Sequence, residues 1–110
     1  GPALCPSHPG AILFRLGRLI SCVLRYTGAV SADLDAAALS GIESWEKIVD
    51  TGALMRGDIL FFSSSSGAVH AGIFLGDGQF IHASASRGGV VVSRLAGQYQ
   101  TRFLFARRVF

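Results

Sequence analysis

RGDILFFSSSSGAVHAGIFLGDGQFIHASASRGGVVVSRLAGQYQTRFLFARRVF, residues 56–110, is the stretch that decides the fold. Ile59 to Phe62, Val69 to Leu75, Gln79 to Ala83, Val90 to Ser93 and Phe103 to Phe110 are short runs rich in β-branched and aromatic residues. Gly or Ser clusters separate them, which is the pattern of antiparallel strands joined by tight connections. Ser63-Ser64-Ser65-Ser66-Gly67 lies between two such runs and reads as a turn rather than a linker.

Upstream the texture changes. Ala11, Ile12, Leu16, Leu19, Ile20, Val23 and Leu24 recur at roughly helical spacing and stop at Thr27-Gly28, which predicts the main helix. Ser31-Ala32-Asp33 reads as the N-cap of a second helix over Leu34 to Leu39, and Glu43 to Val49 as a short third one before Thr51-Gly52. Helices followed by a meander make an α+β domain, with the N-terminal helices packed on an antiparallel sheet of about five strands.

Composition sets the outer bounds. A chain of 110 residues is read as a single domain, 1–110. With 50% hydrophobic and only 15% charged residues, disorder and coiled coil are excluded. Its 14 glycines follow no Gly-x-y period, so collagen-like order is excluded and a helical bundle disfavoured. The formal charge of +3 is almost all arginine, Lys47 being the single lysine, and suits an anionic partner. Arg87, Arg94, Arg102, Arg107 and Arg108 are not interleaved with base-stacking aromatics and read as a solvated strand face, so no nucleic acid is expected as partner. Ala11 to Leu24 is interrupted by Arg15 and Arg18 and is too short for a membrane span. Gly1-Pro2 reads as the remnant of a cleaved tag and no secretory leader is recognisable, so a monomer or a domain cut from a longer protein is expected. Arg56-Gly57-Asp58 precedes a strand, where Asp58 would cap backbone donors, a better reading than an adhesion motif. No phosphate loop, zinc-ligand spacing or dinucleotide fingerprint occurs, and neither a cofactor nor a metal is implied.

The chemistry concentrates on His70 and His82. If a three-residue turn, Gly76-Asp77-Gly78, joins their strands, Leu75 faces Gln79 and Gly72 faces His82. The two histidines then form a diagonal pair on one face, at a backbone separation of about 7–8 Å that imidazoles can close. A two-residue Asp77-Gly78 turn would move the register by one and put them on opposite faces. A catalytic pair therefore predicts the longer turn.

Read in order, "RGDILFF", "VHAGIFLG", "FIHAS" and the closing "RRV" resemble the C-terminal half of the NlpC family of papain-like cell-wall cysteine peptidases. The resemblance covers residues 56 to 110. It implies an NlpC-type fold and a Cys-His-His arrangement, with His70 as the base toward a cysteine and His82 holding the imidazole in its working tautomer. It also implies that Gly72 keeps the cleft floor flat for a peptide, and that the substrate is the stem peptide of bacterial peptidoglycan, cleaved next to a D-glutamyl residue. A secreted, periplasmic or cell-envelope location follows from the same resemblance. Arg87, close to His82 in sequence, is a candidate for meeting a substrate carboxylate.

The nucleophile stays open between two registers. The family sets its cysteine in Asp-Cys-Ser-Gly at a helix N-terminus, where dipole and histidine favour thiolate. One register takes Phe14-Arg15-Leu16-Gly17 as the family's Tyr-x-x-Gly and puts Ser21-Cys22 at Asp-Cys, which makes Cys22 the nucleophile, although Val23-Leu24 replaces Ser-Gly. Phe14 then stands where a tyrosine binds the substrate carbonyl, without a hydroxyl to offer. The other register aligns Thr27-Gly28-Ala29 with the helix end and drops Leu16 on the cysteine position, leaving an inactive binding or scaffold domain with Cys22 as a small core residue. Cys5 is a third thiol whose neighbours match nothing in the family. A cysteine peptidase or amidase is the first reading, an inactive relative the second, and a thiol acyltransferase or secreted effector the third.

Overall fold

The computed structural model describes residues 36–64, 67–84 and 89–109. In chain order these form α1 (Ala36–Ser40), β1 (Glu46–Ile48), a 3-10 turn (Thr51–Ala53), β2 (Ile59–Ser63), β3 (Val69–Gly76), β4 (Gln79–Ser84), β5 (Gly89–Arg94), α2 (Gln98–Arg102) and β6 (Phe103–Arg108). The strands make one six-stranded sheet in the order β1-β6-β2-β3-β4-β5, with every pair antiparallel. The predicted main helix and the cap at 31–33 lie outside the described residues.

Alternation along the strands sorts the apolar side chains onto two faces. On one, Ile59, Phe61, Ala71 and Ala83 pack with Leu39 of α1, joined by Trp45, Ile73 and Phe105. On the other, Ile48, Leu60, Phe62, Phe74, Phe80 and Ala106 pack with Leu54, Leu95, Tyr99 and Phe103. β2 is buried along nearly its whole length, as expected of a strand covered on both faces.

Three expectations are corrected. Residues 46–48 are a strand, not part of a helix over Glu43 to Val49. Ile48 pairs with Ala106 and Glu46 with Arg108, so a partner nearly sixty residues away overrides a weak local helical pattern. Arg107 and Arg108 do not belong to a solvated face. They are consecutive on β6, between β1 and β2, and therefore point to opposite sides of the sheet. Arg107 is buried and donates to the carbonyls of Ser40 and Trp45, tying β6 to the end of α1. Arg108 forms a bidentate pair with the buried Asp58, Nε to Oδ1 at 2.9 Å and Nη2 to Oδ2 at 2.7 Å. Asp58 also accepts from the Met55 N–H at 2.8 Å, the capping role expected of it. Arg94 and Arg102 are exposed.

The third correction concerns the β3–β4 turn. Its tip is the two-residue Asp77-Gly78, with φ of 53° and 70°, the doubly positive pattern of a type I′ hairpin. Gly76 accordingly pairs with Gln79. The register then shifts between Phe74 and Gly76, so Phe74 pairs with Phe80 and Gly72 with His82. The extra residue of the longer turn has moved into the strand as a bulge at Leu75, beside Gly76 at φ 92°. One bulge and a two-residue tip restore the parity of a three-residue turn.

Candidate functional site

That parity puts His70 and His82 on the same face, and their side chains meet. His70 Nε2 lies 3.0 Å from His82 Nδ1, with the rings nearly perpendicular and their centroids 5.2 Å apart. His82 Nε2 in turn lies 2.9 Å from Ser93 Oγ, so β3, β4 and β5 each contribute one member of a polar line.

The line runs through an aromatic wall. The His82 ring lies 4.7 Å from the Phe80 ring and 5.3 Å from that of Tyr99, the latter edge-on. Phe62 closes the group, 5.0 Å from Phe80 and 6.4 Å from His70. His82 is only 2% exposed. Burial also lowers the pKa of His70 below its ordinary value, because the apolar surroundings disfavour the imidazolium. A neutral His70 with Nε2 occupied by His82 keeps Nδ1 for a proton exchange. This is the layout of a base held by a second polar side chain.

Gly72, directly opposite His82, is glycine for a local reason. A Cβ there would stand 2.9 Å from the Ile81 carbonyl oxygen and 2.9 Å from Phe80 Cδ2. Cys22, Cys5, Phe14 and Arg87 lie outside the described residues. The second charged cluster, Asp58 with Arg108, is separate from the histidines and lines a small recess with Met55, Arg56 and Gly57. Burial alone would raise the Asp58 pKa, but the Arg108 hydrogen bonds, the Met55 N–H and the Arg108 charge outweigh it, and the carboxyl is held below its ordinary range. This pair braces β2 against β6.

Two members of the site were not singled out from sequence. In sequence Ser93 reads only as the end of a strand, and its place on the face of His82 follows from the β4–β5 register, where it stands opposite Phe80. Tyr99 sits on α2, a five-residue helix with no side-chain cap at Gly97 and hence no sequence signature at its start.

Comparison with known proteins adds the wider context. A family model described as the NlpC/P60 family matches residues 22–109. The chain is 45% identical over 65 residues to the probable endopeptidase YafL of Escherichia coli K12, covering 56% of this chain and 26% of that protein. It is 38% identical over 63 residues to the murein DD-endopeptidase MepS/murein LD-carboxypeptidase of the same strain, covering 57% of this chain and 34% of the relative. The chain therefore spans about a quarter to a third of the length of these relatives. Among solved structures, the NlpC/p60 domain of the peptidoglycan hydrolase SagA matches with a TM-score of 0.56 and 29% identity, over 84% of this chain and 71% of that one. A papain-like α+β arrangement of helices and antiparallel sheet, a joined histidine pair at its centre and a family model running from residue 22 to 109 lead to one conclusion: the chain belongs to the NlpC/P60 family.

Proposed function

We propose that this domain is a cysteine peptidase or amidase acting on the stem peptides of bacterial peptidoglycan at a γ-D-glutamyl bond, in the cell envelope or outside the cell. The observation that carries the proposal is the His70–His82 contact at 3.0 Å, which leaves His70 Nδ1 for a thiol. Cys22 is the proposed nucleophile. Cys22 lies at the first residue of the family match. The peptidoglycan hydrolase and endopeptidase names of the relatives support the substrate class.

In this mechanism the Cys22 thiol gives its proton to His70 and the thiolate attacks the amide carbonyl. The backbone N–H of Cys22 would stabilise the oxyanion. His70 then protonates the leaving amine as the C–N bond breaks, leaving a thioester. Water attacks the thioester with His70 again as base, releasing the acid and restoring the thiol. Gly72 and Arg87 are assigned to the substrate cleft, and Phe14 to the place where related domains hold the carbonyl with a tyrosine.

The test is digestion of purified peptidoglycan, with products identified by mass spectrometry, for the parent chain and for Cys22→Ala and His70→Ala. Cleavage by the parent that both variants lose, together with iodoacetamide labelling of Cys22 near pH 6 well above a free thiol's rate, is the expected result. Undiminished cleavage by Cys22→Ala would remove Cys22 from the mechanism. A parent that cuts no stem peptide would remove the peptidase.

A further inference from the structure

We propose that Tyr99 is a substrate-binding residue whose hydroxyl hydrogen-bonds the main chain of the stem peptide within about three residues of the bond that is cut, an inference that rests on the reading of His70 as a peptidase base. The Tyr99 ring packs edge-on against the aromatic wall, with its centroid 6.1 Å from Phe62, 5.2 Å from Phe80 and 5.3 Å from His82. A phenylalanine would fill that place as well, so packing accounts for the ring and leaves the hydroxyl over. Among the described residues the hydroxyl has no hydrogen-bond partner in the protein. No buried side-chain oxygen among those residues is unsatisfied, so half-buried Tyr99 brings its hydroxyl out to the surface.

That surface is on the catalytic side of the sheet. His70 stands opposite Phe62 and His82 opposite Gly72, two residues along β3 from His70, so both imidazoles share the face against which Tyr99 packs. Two ring contacts in series, 5.3 Å from Tyr99 to His82 and 5.2 Å from His82 to His70, separate the phenol ring from the base. An extended peptide covers such a span in about three residues. The hydroxyl is also held in place before any peptide arrives. The Leu95 N–H donates to the Gly78 carbonyl at 2.7 Å, which ties the approach to α2 onto the β3–β4 turn. Within α2 the Thr101 N–H and Oγ1 both donate to the Gly97 carbonyl, at 3.1 and 3.2 Å, and Phe103 directly after it pairs with Phe62 of β2. A group fixed in advance loses little freedom on binding, and a phenol serves a peptide C=O as donor or a peptide N–H as acceptor.

The experiment compares the full chain with Tyr99→Phe, which keeps the ring and removes only the oxygen, in hydrolysis of a soluble stem peptide and in NMR titration with the same peptide. KM and the titration Kd should each rise about five-fold, the factor one ordinary hydrogen bond supplies. Because the bond is made equally in the bound peptide and in the transition state, kcat should hold, and so should the urea midpoint. A Tyr99→Phe chain with the parent's KM and Kd would overturn the proposal without touching the peptidase. So would a loss confined to kcat and the urea midpoint, since that is the mark of a packing role. A parent that binds the peptide without cutting it, and binds it about five-fold more weakly as Tyr99→Phe, would uphold Tyr99 and refute the peptidase. A parent that neither binds nor cuts it would overturn both.

Discussion

Replacing Gly72 by alanine tests the link between strand packing and the histidine contact. The backbone there is ordinary extended strand, so the penalty is one of space. The new Cβ would lie 2.9 Å from the Ile81 carbonyl oxygen and from Phe80 Cδ2, where ordinary contact begins at 3.4 Å, and it would also touch His82 Cβ at 3.4 Å. β4 would have to retreat by about half an ångström, against a backbone oxygen and a ring that is itself fully buried. Overpacking of this kind costs about 1–3 kcal/mol. Restricting the unfolded chain returns roughly 0.4–1 kcal/mol. The net expectation is a loss of about 1–2 kcal/mol, or roughly 5–15 °C in the unfolding midpoint of a domain of this size. Because Gly72 faces His82 in the register, the same retreat would stretch the 3.0 Å histidine contact toward the limit of a hydrogen bond. Calorimetry and the imidazole NMR signals read the two effects in one sample. A Gly72→Ala chain as stable as the parent, with unchanged His70 and His82 resonances, would refute the reasoning.

The other expectations concern acid and the aromatic wall. His70 has a pKa depressed below 6.5, so the unfolded chain takes up its proton first as pH falls. Its stabilisation is complete above pH 6.5 and is lost as pH drops through the folded value; urea midpoints from pH 8 to 5 should show the fall, and His70→Asn should flatten it. Asp58, depressed below its ordinary value near 3.8, should add a second loss below that pH that Asp58→Asn removes. Phe62 is 2% exposed and touches His70, Phe80, Tyr99 and Phe103, so Phe62→Ala should destabilise by about 3–5 kcal/mol in urea unfolding.

The five longer strands were legible because each is a compact run rich in apolar residues, the first four of them bounded by glycine or serine, and their observed limits differ by a residue or two. β1 was not, since three residues at a sheet edge take their conformation from β6 and carry no periodicity of their own. Nor was the fate of the arginines: the string Arg107-Arg108 looks like surface charge until β6 is known to be central, when one side chain caps α1 and the other grips Asp58. The histidine pair was readable only as a conditional statement about the turn. Asp77-Gly78 is a strong two-residue signal, and taken alone it would have separated the imidazoles. The bulge at Leu75 that reunites them is visible in sequence only as one more glycine, Gly76.

The placement of the pair explains why a buried site can remain chemically ready. An imidazole set against Phe62 and the His82 ring loses solvation for its charged form, which keeps His70 neutral near pH 7. The same surroundings make an unpartnered ring nitrogen expensive, which forces a fixed partner onto each side of His82. Desolvation and orientation are thus two consequences of one packing decision, taken when alternate residues of β3, β4 and β5 were turned toward the aromatic face. A substitution that wets this wall, such as Phe62→Ala, should therefore raise the His70 pKa toward its ordinary value even in a chain that still folds. The stability it removes and the basicity it changes have the same physical origin.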